Sequence, residues 1–250
     1  MPGELLYGAA MTGSTELRRQ ADDVRKRLAR AIPTPVVELD HASPWQLLMA
    51  TILSAQSTDK KINEVTPSLF ARWPTPAALA AADPLEVEAV VKPTGFFRNK
   101  AKAIIGASRG IVEQFGGEVP RTLEELITLP GVARKTANVV LGSAYGIASG
   151  IVVDTHVTRV WRRLELAVTD DPVAIEEELM ALFPKQAWVV MGHRLVLHGR
   201  YVCKAKDPRC ASCPLNEICA AAQAPPERAR WTERADWEQK LVASRGASDA

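Results

Sequence analysis

Apolar residues recur at three- and four-residue spacing along most of the chain, which is the pattern of amphipathic helices. Thr15–Ala31 reads as a charged amphipathic helix stopped by Ile32-Pro33-Thr34-Pro35. Ser43-Pro44 is an N-cap followed by proline in the first helical position, opening a helix over Trp45–Ser54. Further starts fall at Asp59, Thr75-Pro76, Asp83-Pro84 and Asn99, and Thr122 with Glu125 three residues on forms a capping box. Asp154, Asp171-Pro172 and Lys185 open three more. Alternation of apolar and polar residues is confined to the short Gly150–Val153 stretch. The pattern predicts an all-α protein of about ten helices.

One connection stands out. Leu123–Thr128 reads as a short helix and Ala133–Tyr145 as a longer one, joined by Leu129-Pro130-Gly131-Val132-Ala133. Pro130 fixes one φ, and Gly131 permits the positive φ of a sharp reversal. Such a turn aims unpaired N–H groups outward at the positive end of the second helix, a site suited to a phosphate. Arg134 and Lys135 stand in the first turn beside it. An ordinary antiparallel helix pair would have the same outline.

Composition narrows the class. The chain has 250 residues, 47% hydrophobic and 24% charged, which excludes a mainly disordered protein. Its longest stretches without Lys, Arg, Asp, Glu or His are residues 42–58 and 136–153, broken by Pro44 or by Gly142, Gly146 and Gly150. A bilayer crossing wants about 20 predominantly apolar residues, so no membrane partner is expected. MPGELLYGAA lacks a basic start and an apolar run, so a cytoplasmic location is expected. Residues 1–14 are expected to be flexible, and a tail is expected over 223–250, where Trp231, Trp237 and Leu241 offer a short packing seam.

The net charge of +2 says little, but its distribution says more. Five acidic and no basic residues lie between Asp170 and Phe183; six basic residues face Asp207 alone from Pro184 to Cys213. That local excess suits a polyanion, although a solvated surface has the same composition.

All four cysteines, Cys203, Cys210, Cys213 and Cys219, fall within seventeen residues. A disulfide framework would spread them along the chain. Four thiolates from one loop instead suit a metal centre. The spacing C-x6-C-x2-C-x5-C lacks the paired knuckles of most zinc ribbons, which tilts the reading toward a [4Fe–4S] cluster without removing zinc.

LPGVARKTANVV resembles the hairpin of the helix–hairpin–helix DNA glycosylase superfamily, and the aspartate of VDTHVTRV follows its lysine by nineteen residues. With LSAQSTD at Leu53–Asp59, HGRYVC at His198–Cys203 and the cysteine spacing, these motifs resemble the endonuclease III family in particular, from about Asp23 to Cys219.

The resemblance implies a bifunctional DNA glycosylase and abasic-site lyase that removes oxidised pyrimidines from duplex DNA. It would act as a monomer on a flipped-out nucleotide and associate with the nucleoid. Lys135 matches the catalytic lysine, which displaces the base and forms a Schiff base; β-elimination then cuts the strand on the 3′ side. Presenting any lysine as a free amine near neutral pH costs about 4 kcal/mol, and a helix N-terminus or partial burial disfavours the competing cation. Asp154 matches the essential aspartate, and is also a plausible N-cap.

Gln56 matches the glutamine that fills the space left by the flipped nucleotide. Phe96 stands where a wedge residue is expected, although Phe96-Phe97 could equally be core. The hairpin contacts, Gly131, Ala133 and Arg134, would meet a phosphate; Ala133, where a second glycine is common, is expected to be already helical. Lys204, Lys206 and Arg209 would face phosphates, and the four cysteines would hold a structural [4Fe–4S] cluster. His156 and His198 read as helix-terminal or packing residues.

The fold implied is two helical domains with a DNA-binding groove between them. Residues 15–36 plus 149–222 would make the cluster domain, and 37–148 the domain with the hairpin. Lys135 argues against a monofunctional glycosylase, and the short tail against an adenine glycosylase with its extra domain. An electron carrier would have no use for the hairpin. The alternative from another class is a non-catalytic DNA-binding module with a structural four-cysteine metal site; with zinc it would be colourless, whereas a [4Fe–4S] protein is yellow-brown.

Overall fold

The structure, a computed structural model, describes residues 4–167 and 169–223, and all regular structure among the described residues is helical. Trp231, Trp237 and Leu241, and the tail beyond Gln223, lie outside them. The described chain divides into two compact units, one taking the residues up to Pro35 and from Gly150 on, the other Val36–Ser149.

In the second of these, α2 (Pro44–Leu53) is the central element, with Leu47, Leu48, Met49 and Leu53 fully buried. Its start follows from Ser43, whose hydroxyl accepts the Gln46 N–H at 3.2 Å, with Pro44 next. Helices α3 (Asp59–Arg72), α4 (Pro76–Ala80) and α5 (Pro84–Val91) also begin at side-chain caps, Thr58, Thr75 and Asp83, with proline next in α4 and α5. The long α6 (Phe97–Phe115) starts two residues before the Asn99 expected from the sequence. Its start is set by backbone, since its N-cap, Phe96, is left-handed and makes no side-chain cap. The capping box at Thr122 forms, opening α7 (Leu123–Leu126), and the hairpin leads into α8 (Arg134–Tyr145). Both α6 and α8 pack on α2.

The other unit begins with α1 (Glu4–Ala31), which starts well before Thr15 and so draws Glu4–Ser14 of the expected flexible segment into helix. No proline stands between Pro2 and Pro33, so nothing interrupts the backbone hydrogen bonds; Gly8 and Gly13 each weaken the helix by about 1 kcal/mol without breaking it. Against it pack α10 (Pro172–Leu182) and α11 (Trp188–Tyr201). The start expected at Lys185 is a single 3₁₀ turn, Lys185–Ala187, ahead of α11. Gly150–Val153 has no regular structure and pairs with no strand among the described residues, and it leads to α9 (Thr155–Arg163). The core gathers Ala21, Val24 and Leu28 of α1 around fully buried Trp161 of α9. A Cβ at Gly199 would lie 2.7 Å from that of His156, so α9 and α11 meet at a distance only glycine allows. The short α12 (Ala220–Gln223) closes the described chain.

Candidate active site and cysteine centre

The hairpin reverses at Gly131, whose φ is +76°. A Cβ there would meet Ala103 at 2.8 Å and Ile52 at 3.3 Å, so the turn needs glycine for space as well as for φ. Leu129 and Val132 on either side are buried, which pins the reversal to the core. Ala133 is the N-cap of α8, with φ −89° and ψ 167°. It is therefore extended and exposed, not helical as expected. Alanine adopts that geometry freely, so the missing glycine imposes no strain. No side chain caps the start of α8. Arg134 and Lys135 occupy the first turn of α8, and both are exposed. The partial burial weighed for Lys135 is not found.

Asp154 is the N-cap of α9, half-buried, with Oδ1 accepting the N–H groups of His156 at 2.9 Å and Val157 at 3.0 Å. One carboxylate oxygen thus holds the helix start, a position in which negative charge complements the helix dipole.

Two expected DNA contacts share an unusual backbone. Gln56, in the turn after α2, has φ +53°, and Phe96 has φ +47°. Both side chains are exposed, Phe96 at 60%. Phe97, not Phe96, packs against the core, which separates the pair the sequence left ambiguous. Non-glycine residues in the left-handed region cost of order 1 kcal/mol or more, and they gather where function requires a particular presentation. No glycine marks Gln56, so the sequence carries no signal for its conformation.

All four cysteines are free thiols that line one cavity, together with Val160, Leu164 and Leu215. Among the described residues no three side chains form a group fit for a single metal ion. Burial pushes the Cys213 thiol up to about 11 and raises Cys210 and Cys219 as well. A bound cation would reverse that preference by stabilising thiolates. Donors already point at two sulfurs: Arg163 to Cys203 Sγ at 3.3 Å and the Leu215 N–H to Cys213 Sγ at 3.4 Å. His198, buried on α11, has Nε2 3.7 Å from Cys213 Sγ. Burial, then the Arg159 charge, lowers its pKa to about 4, which keeps the ring neutral.

The loop between Cys203 and Cys210 presents Lys204, Lys206 and Arg209 to solvent. It is anchored by two buried arginines that sequence reasoning passed over. Arg163 donates to the carbonyls of Lys204 (2.6 Å) and Ala205 (3.2 Å), and Arg159 to those of Cys203 (2.9 Å) and Gly199 (2.8 Å). Their four-residue spacing puts them on one face of α9, and the fold turns that face inward.

Residues 49–185 match the family described as HhH-GPD superfamily base excision DNA repair protein. The chain is 51% identical over 207 residues to the endonuclease III of Synechocystis sp. (strain ATCC 27184 / PCC 6803 / Kazusa), covering 83% of this chain and 94% of that one. It is similar to a solved non-covalent endonuclease III–DNA complex, with a TM-score of 0.79 and 40% identity over 87% of this chain and 97% of the other. A trapped endonuclease III–DNA covalent intermediate, the estranged-adenine complex, gives a TM-score of 0.77 at 40% identity, covering 88% and 97%.

Proposed function

The chain belongs to the HhH-GPD superfamily of base excision DNA repair proteins, and from that premise we propose that it is a bifunctional DNA glycosylase and abasic-site lyase acting on oxidised pyrimidines in duplex DNA. The observation that carries this reading is an exposed lysine, Lys135, in the first turn of α8 directly after the Gly131 reversal. It stands in a chain 51% identical to an endonuclease III.

In this reading the hairpin N–H groups grip a phosphate, with Gly131, Ala133 and Arg134 at the contact. The damaged nucleotide leaves the stack, at a cost of a few kcal/mol that damage lowers. Gln56 enters the space it vacates and Phe96 wedges the stack open. The Lys135 amine attacks the sugar carbon that holds the base; the C–N bond to the base breaks and its electron pair leaves with the base. Ring opening gives a Schiff base between Lys135 and the sugar. Loss of a proton from the adjacent sugar carbon then expels the 3′ phosphate by β-elimination, and water releases the lysine. The Asp154 carboxylate stabilises positive charge that develops on the sugar.

The cysteine centre fits a [4Fe–4S] cluster held by Cys203, Cys210, Cys213 and Cys219. The four thiols line one cavity, and Arg163 and the Leu215 amide already donate to its sulfurs, as ligand thiolates require. When bound, the cluster supplies structural cross-links, and the loop it closes turns Lys204, Lys206 and Arg209 toward phosphates. The partner is double-stranded DNA with one nucleotide flipped out, bound by a single copy of the chain on the nucleoid.

The test is borohydride trapping on a duplex carrying one oxidised pyrimidine. Wild type should form a covalent adduct and Lys135→Gln none. Base release without an adduct would mean a monofunctional glycosylase. Binding with neither would leave a non-catalytic DNA-binding module.

A further inference from the structure

Lys100 is a lysine that the proposed mechanism leaves unused, and it is 5% exposed. Burying an ammonium is costly unless something answers it. Its one side-chain partner among the described residues is the carbonyl of Thr94, at 2.6 Å. Desolvation lowers its pKa to about 8. A leucine or methionine would fill the same space without that penalty, so the position calls for a reason beyond packing.

The reason lies in what Lys100 touches. Its side chain reaches Thr94, and its backbone N–H donates to the carbonyl of Phe96 at 3.1 Å. One residue therefore holds both ends of the Gly95-Phe96 step, where both residues have positive φ, +71° and +47°. The remaining restraints are local: Thr94 Oγ1 donates to Val91 O at 2.8 Å, and the Gly95 N–H to Lys92 O at 3.3 Å. Thr94 is itself buried, so without the ammonium its carbonyl would lose its partner in the interior. A left-handed phenylalanine persists only where its surroundings over-determine it, and Lys100 is the side chain that does so from beneath.

We propose that Lys100 is a positioning residue that holds the Thr94–Phe96 turn so that the Phe96 ring stands out as the DNA wedge. This rests on the reading of Phe96 as a wedge. The preference for lysine follows: only a long side chain ending in a strong donor reaches the Thr94 carbonyl from the first turn of α6.

The test is a double-mutant cycle on a duplex carrying one thymine glycol, an oxidised pyrimidine, opposite 2-aminopurine, whose fluorescence rises when the wedge disturbs its stacking. Lys100→Met keeps the volume and removes the donor. Phe96→Ala and Lys100→Met are each expected to slow base release about tenfold and to remove most of the fluorescence rise, and the double variant to be no slower than Phe96→Ala alone. Wild-type behaviour of Lys100→Met beside a slow Phe96→Ala overturns the positioning role alone. Equal slowing by Lys100→Met in both backgrounds also overturns it, since the residue would then act on stability in general. A wild-type Phe96→Ala overturns the wedge reading and the proposal with it. Should Lys100→Met fail to fold by far-ultraviolet circular dichroism, Lys100→Gln, whose amide is too short to reach Thr94, takes its place in the same cycle.

Discussion

A Cβ on Gly131 would stand 2.8 Å from the Cβ of Ala103, nearer than such atoms pack, so the hairpin rests directly on α6. Gly131→Ala therefore meets two obstacles, the contact and a φ of +76°. A left-handed alanine alone costs about 1–2 kcal/mol. The expected outcome is a loss of about 2 kcal/mol or more in stability, with weaker binding to undamaged duplex. Ala103→Gly in mid-helix costs about 1 kcal/mol by itself, so the cycle is read against that variant: in the Ala103→Gly background Gly131→Ala should cost less, by the share owed to the contact, and keep the share owed to φ. Thermal unfolding and duplex titration of the variants check both statements.

Asp154 supports α9 through an oxygen that an amide also possesses. Asp154→Asn should keep the hydrogen bonds from His156 and Val157, unfold within a degree or two of wild type, and lose base release by at least about a hundredfold. Asp154→Ala should lose activity and, in addition, about 1 kcal/mol of stability with the cap. Melting curves set beside single-turnover excision separate the two roles. An Asp154→Asn protein with wild-type turnover would sink the catalytic assignment.

The left-handed residues make an opposite prediction. Glycine at Gln56 or Phe96 relieves the backbone at φ +53° or +47°, while its freer unfolded chain returns about 0.4–1 kcal/mol of that gain. Gln56→Gly and Phe96→Gly should thus be as stable as wild type or up to about 1 kcal/mol more so, yet excise more slowly. A rise in stability joined to a fall in activity is the signature of strain held for function. A loss of stability in both variants would show instead that these side chains serve the fold.

Much of this architecture is legible in the sequence because its signals are local. Ser43-Pro44, Thr75-Pro76, Asp83-Pro84 and Asp171-Pro172 each carry cap and proline together, and each opens a helix where the pair stands. Gly131 announces its turn for the same reason. What the sequence hides depends on long-range partners. Nothing in the sequence marks Lys100, Arg159 and Arg163 as buried, and only the fold shows the carbonyls that they meet. Gln56 and Phe96 lack the glycine that usually marks a positive φ. Ala133 reads as helical on propensity, but the tight turn before it holds it extended at the N-cap.

The loop between Cys203 and Cys210 gives the last prediction. Lys204, Lys206 and Arg209 are exposed, whereas the backbone beneath them is fixed by Arg163 through the Lys204 and Ala205 carbonyls. If the three cations meet phosphates, each releases about one counterion on binding, so replacing all three with alanine should flatten the plot of log affinity against log salt by roughly two to three units. Arg163→Ala, which leaves all three charges in place, should act differently. It removes the anchor, takes the donor from two part-buried carbonyls, and lowers the melting temperature more than the triple variant does. Its salt slope should fall less, because a loosened loop still carries its charge to the duplex. An unchanged slope in the triple variant would mean that the loop faces away from DNA, whatever Arg163 does for its structure.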